Sequence, residues 1–193
     1  NEIFKNTWLF VCHESELPNA GSFRTTLAGG KPIIIVRGED GIIRSFYNIC
    51  RHRSSPVVRT ESGCAKEFQC FYHLWTYNLE GTCTGVTKPD GYKAVNLDKN
   101  KLGLIPIRAD VIAGLVFVCL SEDTEPLIEY LGEIIEPIME PLSSQKLEVF
   151  HFHRADVQTN WKLWQDNNSE RYHSMLHVIN RKTQPWVKGK SSP

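Results

Sequence analysis

Two short stretches of this 193-residue chain carry metal-binding residue types in a repeated pattern. Cys50-Arg51-His52 is followed, after seventeen intervening residues, by Cys70-Phe71-Tyr72-His73. Two thiolates and two imidazoles can close a tetrahedral zinc site, but zinc sites usually group two Cys in one knuckle and two His in another, at spacings of about two to four. Here each pair is mixed and the first gap is a single residue. A mixed pair on each of two loops suits a [2Fe–2S] cluster in which one iron takes both thiolates and the other both imidazoles. The bland alternatives are zinc, or two unrelated Cys and two ordinary His. Ser54, Ser55 and Pro56 after the first pair, and Trp75 and Tyr77 after the second, would supply turn and cover. Such a centre is neutral when oxidised and gains a negative charge on reduction. Arg51 and Arg53 would then favour the reduced state or dock an acidic electron donor. Both are equally well read as solvated or salt-bridged side chains.

A second constellation runs from Asn160-Trp161-Lys162 to His177. On a helix at ~100° per residue, Asp166, Glu170, His173 and His177 fall within about 60° of one another. Trp161, Trp164, Tyr172, Met175 and Ile179 gather on the other side. Two imidazoles at i and i+4 can share one metal, although that spacing also arises by chance. A solvated polar face on an amphipathic helix gives the same stripe. His151 and His153, two apart in a strand-like run, read as surface or structural His.

These groups need elements to hold them. Residues 1–120 read as short strands. Pro32–Arg37 and Ile42–Tyr47 flank Glu39-Asp40-Gly41, and Asp-Gly favours a type I′ hairpin turn with positive φ at both central residues. Glu67–Tyr72 and Leu74–Asn78 form a second pair, and Leu104–Ala109 and Leu115–Leu120 complete an antiparallel pattern. From Glu125 to Leu142 the apolar spacing becomes helical, with Pro137 and Pro141 expected to limit the helix. Leu147–Arg154 reads as a strand, and Trp161 to about Ile179 as a helix. Cys12 and Cys119 sit in apolar runs and read as small buried hydrophobes. Cys64 and Cys83, in turn-rich stretches, carry no signal.

The chain is 41% hydrophobic and 23% charged, so it should fold. Its 22 basic and 22 acidic residues cancel, which argues against non-specific nucleic-acid or membrane-surface binding. The longest apolar run, Ile112–Leu120, falls far short of the ~20 residues of a membrane span. With six Cys and no secretory signal, the chain is expected in the cytoplasm, with its cysteines as thiols or ligands. It opens without Met and both ends read as cut, so a fragment of a longer protein is expected.

Cys50-Arg-His-Arg53 with Cys70-x-x-His73-x-Trp75-x-Tyr77 resembles the Rieske domain of non-haem iron ring-hydroxylating oxygenases. The match extends from Trp8-Leu-Phe-Val11 through the Asp-Gly hairpin to Gly114–Val118. Three positions depart from the family pattern: Phe71 stands where Pro is usual, and Ser54 and Leu74 where Gly is usual. Respiratory Rieske proteins carry an extra Cys beside each ligand pair, where this chain has Ser55 and Tyr72. That favours the oxygenase class, with a potential near the low end of the ~ −150 to +300 mV range. Asn160-Trp-Lys162, Asp166-Asn167, Glu170, Tyr172-His173 and His177 follow the family's order, although three residues separate the two His where four are common.

The resemblance implies the N-terminal part of an α (large) oxygenase subunit of α+β class. An antiparallel-β Rieske domain, residues 1–142, would precede the start of a helix-grip-like catalytic domain, residues 143–193. Cys50, His52, Cys70 and His73 would hold the [2Fe–2S] cluster. His173 and His177 would bind a mononuclear Fe(II), whose third, acidic ligand lies outside the chain. Glu170 would bridge the two centres across a subunit boundary, with Asp166 and Asn167 beside it. Electrons would come from NAD(P)H through a reductase and, in some systems, a ferredoxin. Dioxygen and a small organic substrate, preferably a carboxylated or amino-substituted aromatic, would react there in one- or two-oxygen insertion. A trimer, α3 or α3β3 with a small β subunit, is implied. The rival functions are a Rieske ferredoxin, a monooxygenase of quaternary amines and a zinc-stabilised interaction module.

Overall fold

The computed structural model describes residues 2–95 and 97–169. The chain divides into two compact units, residues 1–150 and 151–193. In the first unit a short helix α1 (Glu2–Lys5) leads into ten strands: β1 (Trp8–His13), β2 (Ser22–Ala28), β3 (Lys31–Arg37), β4 (Ile43–Tyr47), β5 (Ser62–Cys64), β6 (Phe68–Gln69), β7 (Thr76–Tyr77), β8 (Cys83–Gly85), β9 (Pro106–Ile112) and β10 (Leu115–Cys119). Two helices follow, α2 (Leu127–Leu131) and α3 (Glu136–Ser143). The second unit's described part holds α4 (Trp161–Ser169).

Seven strands form an antiparallel sheet in the order β1-β10-β9-β4-β3-β2-β5, and β6-β7-β8 form a small second sheet. The run Ile33-Ile34-Ile35-Val36 explains the two-sided core. All four side chains are fully buried, and strand alternation sends them to opposite faces. Ile33 and Ile35 join Cys12, Leu17, Val116 and Val118. Ile34 and Val36 join Phe46, Phe68, Trp75, Tyr77, Cys50 and Cys70. Each such burial is worth about 2 kcal/mol, so β3 anchors the site-bearing core as firmly as the opposite one. The small sheet reaches β4 through Gly81 (φ +82), where an added Cβ would lie 2.4 Å from the Phe46 ring.

Three local expectations are corrected. The β3–β4 turn is not type I′, because Gly41 alone takes positive φ. Gly41 N–H donates to the Gly38 carbonyl and Gly38 N–H to the Ile42 carbonyl, giving a longer loop. Asp40 accepts from Ile42 N–H and grips the Arg44 guanidinium with both oxygens; that pairing holds its carboxyl well below the usual carboxylate range. The helical stretch after 125 breaks at Gly132 (φ +52) rather than at the prolines. Pro137 lies in the first turn of α3, where a missing N–H costs nothing, and Pro141 lies within it. Residues 147–154 form no strand. Phe150 is fully exposed, with Val149 and Phe152 also exposed, so the alternation there has no sheet to bury against. No helix of the described residues is long and apolar enough to cross a membrane.

Candidate metal centre

The two Cys-His pairs sit on two loops with one backbone plan. In the first, Cys50 N–H donates to the Ser55 carbonyl at 2.8 Å and Ser54 N–H to the Cys50 carbonyl at 2.9 Å. In the second, Cys70 N–H donates to the Trp75 carbonyl at 2.8 Å and Leu74 N–H to the Cys70 carbonyl at 2.9 Å. Each loop turns through one left-handed residue, Ser54 at φ +56 and Leu74 at φ +59. This gives the physical reason for glycine at both places in the family pattern, since only glycine enters that region without steric cost.

The loops bring the side chains of all four candidate ligands together. Cys50 and Cys70 are buried in the core. Burial pushes the Cys70 thiol up, and contact with the Cys50 thiol adds to this. The His52 and His73 rings meet edge to face at 4.5 Å, nearer the surface. Burial first, and then the charges of His73 and Arg53, push the His52 imidazole below its ordinary pKa. Its Nδ1 is buried without a hydrogen-bond partner, a costly state for a polar atom that a metal bond would relieve. Trp75 stacks flat on the His52 ring, 4.8 Å away and 7° from parallel. The Tyr92 hydroxyl stands 3.5 Å from His52 Nε2, and a cavity of about 580 Å³ opens beside both imidazoles.

The donor set fits a two-iron cluster better than one ion. Among the described residues no group of three or more His, Cys, Asp or Glu could hold a single metal, as tetrahedral zinc would require. Two sulfurs at the buried end and two imidazoles at the outer end match a [2Fe–2S] group with one iron per pair. All six cysteines are free, so no disulfide braces these loops.

Residues beyond the ligand pattern complete the centre. Tyr77 is fully buried; its oxygen accepts from Arg51 N–H at 3.1 Å and lies 3.3 Å from Cys50 Sγ. Since the backbone amide supplies the first bond, the phenolic proton is available to the sulfur. Burial and the Cys50 contact push this phenol up, so it stays a donor. Asn48, also buried, accepts from Val57 N–H and Val58 N–H and donates to the Val58 carbonyl. The Thr87 hydroxyl donates to the His73 carbonyl at 2.6 Å. Tyr77 was visible in the motif. Asn48 and Thr87 were not, because their roles depend on where the chain returns. Cys83, silent in the sequence, is buried beside this core.

Of the other expected residues, Asp166 and Asn167 lie on α4 of the second unit, Asp166 exposed and Asn167 half-buried. Glu170, His173 and His177 lie outside the described residues. Arg51 and Arg53 are exposed, as are Phe71 and Leu74; the Arg59 guanidinium lies 4.5 Å over the Phe71 ring.

Residues 7–97 match the family described as the Rieske [2Fe-2S] domain. The chain is 38% identical to the 2-aminobenzenesulfonate 2,3-dioxygenase subunit alpha of Alcaligenes sp, over 96% of this chain and 48% of that protein. It is 37% identical to the anthranilate 1,2-dioxygenase large subunit of Burkholderia cepacia, over 92% and 44%. Among solved structures, it is similar to a quaternary ammonium Rieske monooxygenase in complex with an inhibitor, with a TM-score of 0.83 and 28% identity over 91% of this chain and 49% of that one. The chain thus spans about half the length of these relatives. The repeated loop plan, the paired thiols and imidazoles and these likenesses agree: residues 7–97 form a Rieske domain, in a chain similar to about half the length of Rieske oxygenase α subunits.

Proposed function

We propose that this chain is the N-terminal part of the oxygenase component of a Rieske non-haem iron oxygenase. Residues 1–142 are its Rieske domain and residues 143–193 the start of its catalytic domain. Cys50 and Cys70 hold one iron of the cluster, His52 and His73 the other. The observation that carries this reading is the convergence of two buried thiols and two imidazoles, with His52 Nδ1 buried and unpartnered. The bound cluster supplies one-electron transfer at a potential raised by its neutral imidazole ligands. The chain's own residues set its surroundings: Tyr77 donates to a ligand sulfur, Trp75 covers one imidazole, and the buried core excludes water from the thiolate end.

His173 and His177 are assigned to a mononuclear iron and Glu170 to the bridge between centres. Asp166 and Asn167, on the helix that enters this segment, are assigned to its support. No third iron ligand is assigned within these 193 residues. The proposed partners are a reductase and a ferredoxin drawing on NAD(P)H, copies of the same subunit in a trimer, and a small β subunit. An amino-substituted aromatic acid is the proposed substrate class, supported by the names of the two dioxygenase relatives. A quaternary amine is the second reading, favoured by the TM-score of 0.83 to a quaternary ammonium monooxygenase.

Iron and sulfide analysis of the full-length protein tests the assignment. About three irons per chain are expected, whereas a Rieske electron carrier would hold about two. A colourless protein lacking a reduced-state EPR signal would refute it. In the loaded enzyme, Glu170→Gln is expected to leave the cluster spectrum intact and abolish coupled turnover.

A further inference from the structure

Leu74 is the least expected residue in the second ligand loop. It holds φ +59, a region disfavoured for any residue with a Cβ, and its side chain is 51% exposed. Packing therefore does not compensate its backbone. The compensation lies in the peptide group between His73 and Leu74, which is pinned at both ends. Its N–H donates to the Cys70 carbonyl at 2.9 Å. Its carbonyl, that of His73, accepts from Thr87 Oγ1 at 2.6 Å. Rotation about the Leu74 N–Cα bond would swing this group, so fixing both ends fixes φ. The next carbonyl, that of Leu74, accepts from Thr76 Oγ1 at 3.2 Å. Thr76 belongs to the same hairpin, whereas Thr87 comes from beyond β8, fourteen residues after His73.

We propose that Thr87 is a positioning residue, a latch from a separate segment that holds the His73–Leu74 peptide in the left-handed turn this chain must make without glycine. The inference rests on the reading of His73 as a cluster ligand. Without the latch, the residue next to His73 relaxes toward negative φ and the imidazole loses its place opposite His52. Thr87 is exposed, so removing its hydroxyl does not open the core.

The test compares Thr87→Val, Thr87→Ser, Leu74→Gly and the Thr87→Val/Leu74→Gly double variant in the full chain. The first readout is the decay of cluster absorption under excess chelator. Thr87→Val is expected to lose the cluster about five- to tenfold faster, the worth of one hydrogen bond. Thr87→Ser should match wild type, and the double variant should lie within about twofold of Leu74→Gly alone, because glycine makes the latch dispensable. The second readout is hydrogen exchange at the Leu74 amide before loading, which Thr87→Val should accelerate by a similar factor. Wild-type decay and exchange in Thr87→Val would overturn the latch. An equal penalty from Thr87→Val with and without Leu74→Gly would also overturn it, since a general structural role gives no coupling. If Thr87→Val does not fold, failure of the double variant to fold overturns the latch and its recovery supports it. A wild-type chain that takes up no cluster would refute the ligand reading, while the exchange measurement still decides the latch.

Discussion

The loop at 50–55 and the loop at 70–75 make the same two backbone hydrogen bonds and the same left-handed turn, yet they are secured from opposite directions. The first is held from behind. Asn48, two residues before Cys50, is buried and ties both amides and a carbonyl of the returning chain at Val57 and Val58. The second is held from in front, by a hydroxyl on an exposed residue that follows β8. A fastening inside the core, close in sequence, forms with its own loop. A fastening from outside forms once β8 is in place, and it competes with water. The first loop should therefore be the stiffer half of the centre and the second the half that opens.

The largest perturbation that would break this comparison is Asn48→Ala. It strands two amides and one carbonyl, and each buried unmade hydrogen bond costs about 1–3 kcal/mol. A loss of about 3 kcal/mol in urea unfolding is expected, with cluster release faster than in Thr87→Val. A smaller loss than Thr87→Val produces would mean that the first loop is not the anchored one.

Tyr77 sharpens the comparison because it belongs to one loop's hairpin and serves the other loop. It lies in β7, just after the second loop, but bonds Cys50 and Arg51 of the first. Donation to a ligand sulfur stabilises the reduced, more negative cluster. A hydrogen bond to a charged group is worth about 1.5 kcal/mol, which for one electron is about 60 mV. Tyr77→Phe is expected to lower the reduction potential by about that amount while the cluster stays bound. Potentiometry read by EPR checks it, and an unchanged potential would leave Tyr77 as a structural brace.

What the sequence disclosed of this centre follows the same division. The four ligand positions are local patterns, legible because a cluster fixes both residue type and spacing. The strands β3, β4 and β10 were legible because burial on a sheet imposes apolar runs. Asn48 was hidden although it lies two residues from Cys50, since nothing local marks Val57 and Val58 as its partners. Thr87 was hidden for a stronger reason: its acceptor is a backbone carbonyl, which leaves no trace in residue types. The β3–β4 turn was misread because Asp40 uses its carboxylate on Ile42 and Arg44 and stays out of the left-handed region. The strand expected at 147–154 failed because alternation is a strand signal only where a sheet accepts it. The prolines of α3 were misread as stops although one occupies a first-turn position that tolerates it.

The smallest predicted effect separates the loops by their strained residues. Ser54 and Leu74 differ by 3° in φ, so glycine should relieve similar steric cost at each, about 1–2 kcal/mol. Glycine also loosens the unfolded chain, which takes back roughly 0.4–1 kcal/mol. Ser54 is exposed and its side chain has little packing to forfeit. Ser54→Gly is therefore expected to stabilise the protein by about 0.5–1 kcal/mol in urea unfolding, with an unchanged denaturant slope. It should leave the effect of Thr87→Val untouched, whereas Leu74→Gly should erase it. If Ser54→Gly also erased it, the two loops would have to be treated as one cooperative unit, and the distinction between an anchored half and an opening half would fail.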